Sequence, residues 1–284
     1  CERLVADGMQ VIVVDNLVAG NAERLPQEVV FHNVDIRDTD ALAQSMQGAD
    51  VVVHLAALPR VQFTIDEPIE AQEVNVNGTL SVLEAMRSAG VPRIVFATSA
   101  AVYGDQETMP LTESMPAQPK SPYGLHKYMG ERMLKLWHEL YGIESVSLRF
   151  FNVYGPHLDP EGAYALAIGR FLKLRAEGKP ITITGDGEQT RDFVHVRDVA
   201  DAIVRASVDS RVGGGEVFNV GTGTDTSINT LAALIGGPLE YIPPRIEPRA
   251  ARADISHIRE ALGWQPKVAL ADGIAELKGI FNIL

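Results

Sequence analysis

Tyr123 and Lys127 are the side chains of this sequence best suited to acid–base chemistry. Residues four positions apart share one face of a helix, so the ammonium group can lie beside the phenol. A neighbouring positive charge favours the phenolate and lowers the pKa of a tyrosine from about 10, as a general base near neutral pH requires. The spacing alone is a weak signal, because it also arises by chance.

Ser99 follows directly after the run Arg93–Thr98, whose apolar residues predict a buried strand. Ligands of parallel sheets bind at the carboxyl ends of the strands, where a hydroxyl can donate a hydrogen bond to a substrate oxygen. A local turn that involves only the serine's own backbone is the alternative interpretation. Because Ser99 and Tyr123 belong to consecutive predicted elements, both can reach one site.

Asp15 ends the β-branched run Met9–Val14, which predicts another buried strand. In dinucleotide-binding folds an acidic residue at this position binds the ribose 2′-hydroxyl, and it repels the 2′-phosphate of NADP. Asp15 therefore indicates NAD as the cofactor, and the alternative is an ordinary turn aspartate.

The elements that must position these residues alternate between strand and helix up to Phe150. Predicted strands cover 29–31, 51–55, 93–98 and 146–150, and predicted helices cover 39–46, 69–89 and 122–141. Beyond Asn152 we predict helices at 163–177, 199–207, 228–235, 254–262 and 270–278, strands at 181–184, 191–195 and 217–220, and an irregular stretch at 238–248. This order predicts an α/β fold, a doubly wound parallel sheet of the Rossmann type with a smaller C-terminal substrate lobe.

Composition excludes several classes of protein. The 284 residues are 46% hydrophobic and 22% charged, which is typical of a globular enzyme, and the net charge of −12 argues against nucleic-acid binding. The longest uncharged apolar run, Val51–Pro59, is far shorter than the roughly 20 residues of a membrane span. The single cysteine, Cys1, allows neither a disulfide framework nor a multi-cysteine metal site, and we expect no metal and a cytoplasmic location.

Taken together, these features resemble the extended short-chain dehydrogenase/reductase family, in particular its nucleotide-sugar epimerases of the UDP-glucose 4-epimerase type. The segments that carry the resemblance are Val13–Leu17 (VVDNL), Asp35–Arg37 (DIR), His54–Ala57 (HLAA), Asn75–Thr79 (NVNGT), Ser99–Gly104 (SAAVYG), Ser121–Lys127 (SPYGLHK), Arg149–Pro156 (RFFNVYGP) and Gly185–Phe193 (GDGEQTRDF). They extend over essentially the whole chain, and they are more specific for the family than for the sugar.

The resemblance implies NAD as cofactor and assigns its binding residues. Asp15 and Asn16 would hold the adenosine ribose, Asp35 and Ile36 would flank the adenine, and Lys127 would bond the nicotinamide ribose. The remaining implied cofactor residues, on the pyrophosphate and nicotinamide side, are Leu55, Ala56, Ala57, Asn75, Tyr123 and Phe150. The resemblance also implies a strand and a glycine-rich loop ahead of Cys1, so residues 1–152 would form an incomplete NAD-binding domain.

A UDP-sugar is the implied substrate, and residues 153–284 would mainly bind it, with 191–220 returning to the large domain. Asn152, Arg191 and Arg245 would contact the diphosphate and uridine, and Glu247 would contact the ribose. The segment around Arg245 is one residue shorter than the family pattern, which makes Arg249 an alternative phosphate partner. Ala251 would border the hexose, where a small residue leaves room for an N-acetyl group.

The implied reaction is epimerisation at C4 through a transient 4-keto sugar, with Ser99, Tyr123 and Lys127 as catalytic residues. A homodimer is also implied, through the helices predicted at 69–89 and 122–141. A 4,6-dehydratase is the nearest alternative, but those relatives carry an Asp-Glu pair where this chain has Ser99 and Ala100. A non-catalytic NAD-binding regulator is a second alternative, and the combined presence of all three catalytic residues argues against it.

Overall fold

Valine- and isoleucine-rich runs build the central parallel sheet, as the sequence predicts. The computed structural model describes residues 1–160, 167–244 and 249–283. Its strands are β1 (Ile12–Asp15), β2 (Val30–Asn33), β3 (Val51–His54), β4 (Arg93–Ser99), β5 (Glu144–Phe150), β6 (Asn152–Tyr154), β7 (Ile181–Thr184), β8 (Thr190–Arg191), β9 (Phe193–His195), β10 (Gly214–Val220), β11 (Thr226–Ser227) and β12 (Leu239–Ile242). Four of them form one sheet in the order β10–β5–β4–β3.

Helices follow most of the strands. They are α1 (Glu2–Ala6), α2 (Thr39–Ser45), α3 (Val61–Asp66), α4 (Pro68–Gln72), α5 (Gly78–Ala89), α6 (Pro122–Tyr141), α7 (Ala167–Ala176), α8 (Val196–Val208), α9 (Ile228–Ile235), α10 (Ser256–Leu262) and α11 (Leu270–Ile280). Within the described ranges, no helix is long and apolar enough to cross a membrane.

The described residues divide into two units. The first unit comprises Cys1–Val102, Pro119–Arg149 and Ala200–Phe218. The second unit comprises the described residues of Tyr103–Gln118, Phe150–Val199 and Asn219–Leu284.

The first unit places its buried apolar residues between the sheet and the helices. Every residue of β4 is buried, and Ile94, Phe96, Leu83 and Met86 are at most 1% exposed. The two strands β1 and β2 pair with each other in parallel, with Ile12 opposite Val30, and form a separate two-stranded sheet. β1 and β2 carry no fully buried residue, so this pair is more solvent-accessible than β4.

One expectation about local structure is confirmed with an addition, and one is wrong. The predicted helix 69–89 is helical throughout as α4 and α5, but the segment Glu73–Asn77 between them is π-helical, with an extra residue in its turn. The stretch 238–248 is expected to be irregular, but Leu239–Ile242 forms β12, parallel to β7. The residues of β12 are mostly exposed, so they lack the hydrophobic alternation that would reveal a strand.

The second unit has its own core. Side chains of β7, α7 and α9 pack together there, including Ile181, Ile183, Leu172, Leu231 and Ile235, all at most 1% exposed. The apolar positions of α9 recur at helical spacing, and this face of the helix is the one that is buried.

Candidate functional site

Helix α6 carries Tyr123 and Lys127, and its ends are set by local sequence. The side chain of Ser121 accepts a hydrogen bond from the backbone N–H of Gly124, and Pro122 occupies the first turn. Gly142 ends the helix with φ = 72°, a conformation that favours glycine. The start of α6 is therefore well defined, and Tyr123 is its second residue.

Two glycines let α6 approach β4 and the turn that follows it closely. A Cβ atom on Gly124 would lie 2.5 Å from the carbonyl oxygen of Ala101, and one on Gly130 would lie 2.5 Å from the ring of Phe96. A glycine inside a helix lowers the stability of the helix by roughly 1 kcal/mol relative to alanine. Two glycines in α6 therefore indicate that the close packing they permit offsets this loss of stability. The approach brings the Lys127 ammonium within reach of the strand.

The three predicted catalytic residues lie on β4 and the first turns of α6. Ser99, Tyr123 and Lys127 are each buried, at 6%, 6% and 4% exposure. Lys127 Nζ donates a hydrogen bond of 2.8 Å to the carbonyl oxygen of Ala97, two residues before Ser99, and lies 5.9 Å from the centroid of the Tyr123 ring. The structure thus brings the ammonium beside the phenol, as the spacing predicts.

Burial controls the charge of Lys127. Removing the ammonium from water lowers the pKa of Lys127 to about 7, so its charge is poised near neutral pH. The centroid of the Phe96 ring lies 4.8 Å from the ammonium and offers a cation–π contact. His54, wholly buried and close to the same ammonium, has its pKa lowered to about 3 and is therefore neutral.

The π-helical segment presents Asn75 inward. The Asn75 side chain accepts a hydrogen bond from the backbone N–H of Leu58 at 2.7 Å and donates one to its carbonyl at 3.1 Å. These two bonds hold the loop that follows β3, which contains Leu55, Ala56 and Ala57. Leu55 is 54% exposed, so its side chain is accessible at the end of the strand. π-Helical turns often accompany functional sites.

Acidic residues lie at the same end of the β1–β2 pair: Asp15 is the last residue of β1, and Asp35 comes two residues after β2. Asp15 Oδ1 accepts the backbone N–H of Leu17 at 2.6 Å, and a Cβ on Gly20 would lie 2.8 Å from this carboxylate. Asn16 Nδ2 donates to Asp35 Oδ2 at 3.0 Å. Two bonds from the Arg37 side chain hold the pKa of Asp35 well below its usual range.

Ile36 differs from its polar neighbours. Its side chain is only 9% exposed and packs so closely on Gly78 that a Cβ there would lie 2.6 Å from Ile36 Cδ1. A contact of Ile36 with adenine would therefore use its backbone more readily than its side chain.

The hydrogen-bonding groups at the ends of β1 and β2 fit the adenosine ribose of a dinucleotide. Asp15 is half-buried at the end of a parallel strand, with one carboxylate oxygen held by the following turn. Asn16 and Asp35 form a hydrogen-bonded pair next to it in the turns that follow β1 and β2. This set of groups matches a ribose diol, and it repels a 2′-phosphate.

Apart from Ser99, the predicted substrate residues that the structure describes lie in the second unit. Phe150, predicted to contact the nicotinamide, and Asn152 lie at the β5–β6 junction, where Asn152 Nδ2 donates to the backbone carbonyl of Asp192 at 3.1 Å. Arg191 ends β8 and is half-buried, with Nη1 donating to the Thr190 carbonyl at 2.8 Å. Arg245 and Glu247 lie outside the described residues.

The segment carrying Ala251 is held at several points. Backbone bonds join Arg249 O to the N–H of Thr190 at 2.9 Å and Arg252 O to the N–H of Leu111 at 2.8 Å. The buried carboxylate of Asp192 accepts the N–H of Ala253 at 3.1 Å. Arg249, the alternative phosphate partner, makes two 3.0 Å bonds to Asp186, so its guanidinium already has an anionic partner.

Sequence reasoning missed a buried ionic network beneath the predicted catalytic residues. Glu131 on α6 binds Thr98 of β4 and Arg149 of β5, and all three are at most 5% exposed. The available signal was the spacing of Glu131, four residues after Lys127 and on the same helix face. Among the described residues, no group of three or more His, Cys, Asp or Glu could hold a metal ion.

Comparisons with known proteins identify the family of the chain. The model of the NAD dependent epimerase/dehydratase family matches residues 1–221. The UDP-glucose 4-epimerase of Mycolicibacterium smegmatis is 40% identical over 295 residues, covering 99% of this chain and 93% of that protein.

Solved structures agree with this match. The UDP-glucose 4-epimerase of Thermotoga maritima, solved with UDP-glucose, has a TM-score of 0.92 and 35% identity, with 99% of this chain and 93% of that chain covered. The UDP-N-acetylglucosamine 4-epimerase of Methanobrevibacter ruminantium, solved with UDP-N-acetylmuramic acid, has a TM-score of 0.90 and 31% identity, with 98% and 93% covered. The predicted fold, cofactor and enzyme class are confirmed: the chain belongs to the NAD dependent epimerase/dehydratase family and is an NAD-dependent enzyme of the epimerase class.

Proposed function

We propose that this enzyme interconverts the C4 epimers of a UDP-hexose, with UDP-glucose and UDP-galactose as substrates. The observation that carries the proposal is the buried arrangement of Ser99, Tyr123 and Lys127 on β4 and α6. The names of the relatives from M. smegmatis and T. maritima support the same reaction.

Tyr123 acts as the general base in this proposal. Its phenolate removes the proton from the 4-hydroxyl of the sugar, and Lys127, 5.9 Å from the ring centroid, stabilises that phenolate. Ser99 donates a hydrogen bond to the same sugar oxygen and orients it. Bound NAD supplies the redox chemistry at C4, and the protein contributes position and proton transfer.

Cofactor binding is proposed to involve three groups of residues in the first unit. Asp15 and Asn16 bind the adenosine ribose, and Asp35 with the backbone of Ile36 flanks the adenine. Asn75 and the residues Leu55, Ala56 and Ala57 line the pyrophosphate and nicotinamide. The hydrogen bonds between Asn75 and Leu58 support this role, because they hold the loop that contains Leu55, Ala56 and Ala57. Phe150 packs on the nicotinamide.

UDP binding is proposed to use Asn152 and Arg191, with Arg245 on the phosphates and Glu247 on the ribose. Support comes from the burial of Asp192 beside Arg191, since its bonds to Thr222 and Gly223 hold the backbone there. An arginine fork on a fixed backbone suits a diphosphate, and an acidic protein needs such a local positive group.

The reaction is tested by incubating the enzyme with NAD and UDP-glucose and following the anomeric signals by NMR. We expect conversion to UDP-galactose until an equilibrium mixture forms, approached from either sugar. Formation of a 4-keto-6-deoxy sugar would instead assign the protein as a dehydratase, and no turnover of either sugar would favour a regulator.

A second part of the proposal concerns the sugar. Ala251 is half-buried, its segment is held by the backbone bonds to Thr190 and Leu111, and its side chain is a single methyl group. We propose that this small side chain leaves room beside the sugar for an N-acetyl group, so that UDP-N-acetylglucosamine is also a substrate. A tyrosine ring would overlap such a group, and overpacking costs about 1–3 kcal/mol, roughly tenfold or more in binding.

Ala251→Tyr tests whether the side chain at this position limits the size of the sugar, with Ala250→Tyr as the matched control. We expect kcat/KM for the N-acetylated sugar to fall about tenfold relative to UDP-glucose in Ala251→Tyr only. An unchanged ratio of the two kcat/KM values would show that Ala251 does not border the sugar.

The enzyme is also proposed to form a homodimer through the helices of the first unit. On α6, the apolar residues Leu125, Met129, Leu136 and Leu140 recur at helical spacing, and they are 46%, 37%, 45% and 60% exposed. Ile69 on α4 is 80% exposed. Analytical ultracentrifugation of Leu136→Lys should show monomers where the parent enzyme sediments as dimers, and Leu239→Lys, on exposed β12, is the control.

A further inference from the structure

We propose that the hydrogen bond between Thr98 and Glu131 is a positioning device that holds Tyr123 and Lys127 in register with Ser99. The inference rests on the proposed function for its catalytic consequence. The three residues of the proton-transfer site come from two elements, since Ser99 lies on β4 and the other two lie on α6. Their relative position therefore depends on how the helix is attached to the strand.

The attachment consists of two side-chain bonds at adjacent residues of β4. Lys127 Nζ donates to the carbonyl oxygen of Ala97 at 2.8 Å. One helical turn later on α6, Glu131 Oε1 accepts the hydroxyl of Thr98 at 2.7 Å. Ser99 is the next residue of the strand, so a shift of Thr98 against α6 moves Ser99 directly.

The first of these two bonds involves a residue with other tasks. Lys127 is proposed to bind the nicotinamide ribose and to stabilise the Tyr123 phenolate, so its N–H donors are shared between these groups and the Ala97 carbonyl. Glu131 has no such task, and its bond to Thr98 does not have to change when cofactor and sugar bind.

Glu131 is itself fixed by a third element. Arg149 on β5 donates to Glu131 Oε1 from Nε at 2.9 Å and to Oε2 from Nη2 at 2.8 Å. The Glu131 and Arg149 side chains are 3% and 5% exposed, so solvent does not compete for these bonds. Bidentate carboxylate–guanidinium geometry is directional, which orients Oε1 toward Thr98.

Thr98 is the better residue to change. Removing Glu131 or Arg149 would leave a buried unpaired charge, which is strongly destabilising and would confuse position with folding. Thr98→Val keeps the side-chain shape, and Arg149 still compensates the carboxylate. Thr98→Ser keeps the hydroxyl and serves as the conservative rescue variant.

The experiment compares parent enzyme, Thr98→Val and Thr98→Ser by steady-state kinetics with UDP-glucose. Misplacing a reacting group by about 1 Å can cost roughly 10²-fold in rate, so a partial loss of register predicts a fall in kcat of about tenfold. We expect this fall in Thr98→Val with KM changed less than about twofold, and we expect Thr98→Ser to recover most of kcat. Glu177→Gln, which breaks an exposed 2.7 Å pair with Lys179, controls for loss of an ordinary ion pair.

A second measurement needs no sugar. NMR titration of the Lys127 side chain reports its contact with β4, where Phe96, Tyr123 and neutral His54 are its neighbours. We expect the midpoint to rise in Thr98→Val, because a loosened helix admits water to the ammonium, and to stay near the parent value in Thr98→Ser.

The two measurements separate this inference from the proposed function. If the parent enzyme converts no UDP-sugar while the Lys127 midpoint still moves in Thr98→Val, the proposed function fails and the positioning role stands. If Thr98→Val matches Thr98→Ser in kcat and in the Lys127 midpoint, the positioning role is overturned, even if Thr98→Val melts at a lower temperature.

Discussion

The β4–α6 region and the carboxyl end of the β1–β2 pair, here called the β1–β2 edge (residues 15–20 and 33–37), both belong to the first unit. They nevertheless hold their charged groups in opposite ways. At β4 and α6, Lys127 and Glu131 are buried and bind residues far away in sequence. At β1 and β2, the carboxylates of Asp15 and Asp35 are half-buried and each accepts hydrogen bonds from a residue two positions away.

This difference fits the proposed roles of the two regions, which are proton transfer at β4 and α6 and ribose binding at the ends of β1 and β2. A proton-transfer site needs a low-dielectric surrounding, where one charge strongly changes the pKa of another, and that requires several elements packed together. A ribose needs only hydrogen-bond acceptors at the surface, which a turn after a strand supplies. Substitutions at β4 and α6 should therefore have large effects, and substitutions at the β1–β2 edge should have graded effects.

Tyr123→Phe should have the largest effect. The ring stays in place but the proposed base is lost, so we expect kcat to fall by about 10²–10⁴ while NAD still binds. Epimerase assays and calorimetry with NAD measure the two quantities. Tyr128→Phe removes a hydroxyl elsewhere on the same helix and should retain activity. Near-normal turnover in Tyr123→Phe would exclude Tyr123 as the base.

Lys127→Met should lower kcat by about 10²-fold and weaken NAD binding, because Lys127 is proposed to serve both the phenolate and the ribose. It should also raise the melting temperature at neutral pH. Burial lowers the pKa of Lys127 from 10.5 to about 7, so the folded protein holds fewer protons than the unfolded chain between these values.

The cost of burying Lys127 is fully present below pH 7 and is relieved as the pH rises toward 10.5, so the parent enzyme gains stability across that window. Thermal melts of Lys127→Met should lack this gain, and Lys135→Met, which changes an exposed lysine of the same helix, should keep it. Identical pH dependence in Lys127→Met and parent enzyme would contradict the assignment.

Asp15→Asn should have an intermediate effect that is confined to the cofactor. The amide oxygen can still accept the N–H of Leu17, so the turn is preserved while the charge is lost. A hydrogen bond to a charged group is worth about 1.5–3 kcal/mol, so we expect NAD affinity to fall roughly tenfold or more. NADP should lose less affinity, because the repulsion of its 2′-phosphate is removed. Titrations with both cofactors that give an unchanged NAD/NADP ratio would remove Asp15 from the ribose site.

Arg37→Gln should have the smallest effect. Arg37 is 40% exposed where it pairs with Asp35, and exposed pairs contribute less than about 1 kcal/mol. Because Arg37 lowers the pKa of Asp35, the lost stability is present at neutral pH and vanishes as acid protonates Asp35. Urea unfolding at neutral and acidic pH measures it, and a loss as large as that expected for a buried pair would show that the β1–β2 edge is not an independent surface.

Local patterns predicted much of the fold. Helices α6 and α9 begin and end where the sequence predicts, because Ser121 and Ser227 cap them and glycines follow their last residues. Prediction failed where the signal was not local. The π-helical segment at Glu73–Asn77 and the exposed strand β12 have no distinctive spacing, and both depend on what packs against them.

The sequence by itself determined the types of the proposed site residues: a tyrosine and a lysine one turn apart, a serine at a strand end and an aspartate after a β-branched run. These are short-range patterns, and short-range geometry follows from helix and strand periodicity. Only the tertiary structure decided that Lys127 is buried with a pKa of about 7, and that Thr98, Glu131 and Arg149 meet beneath the site. Burial and contacts between distant residues arise from packing of whole elements, so no local spacing contains them.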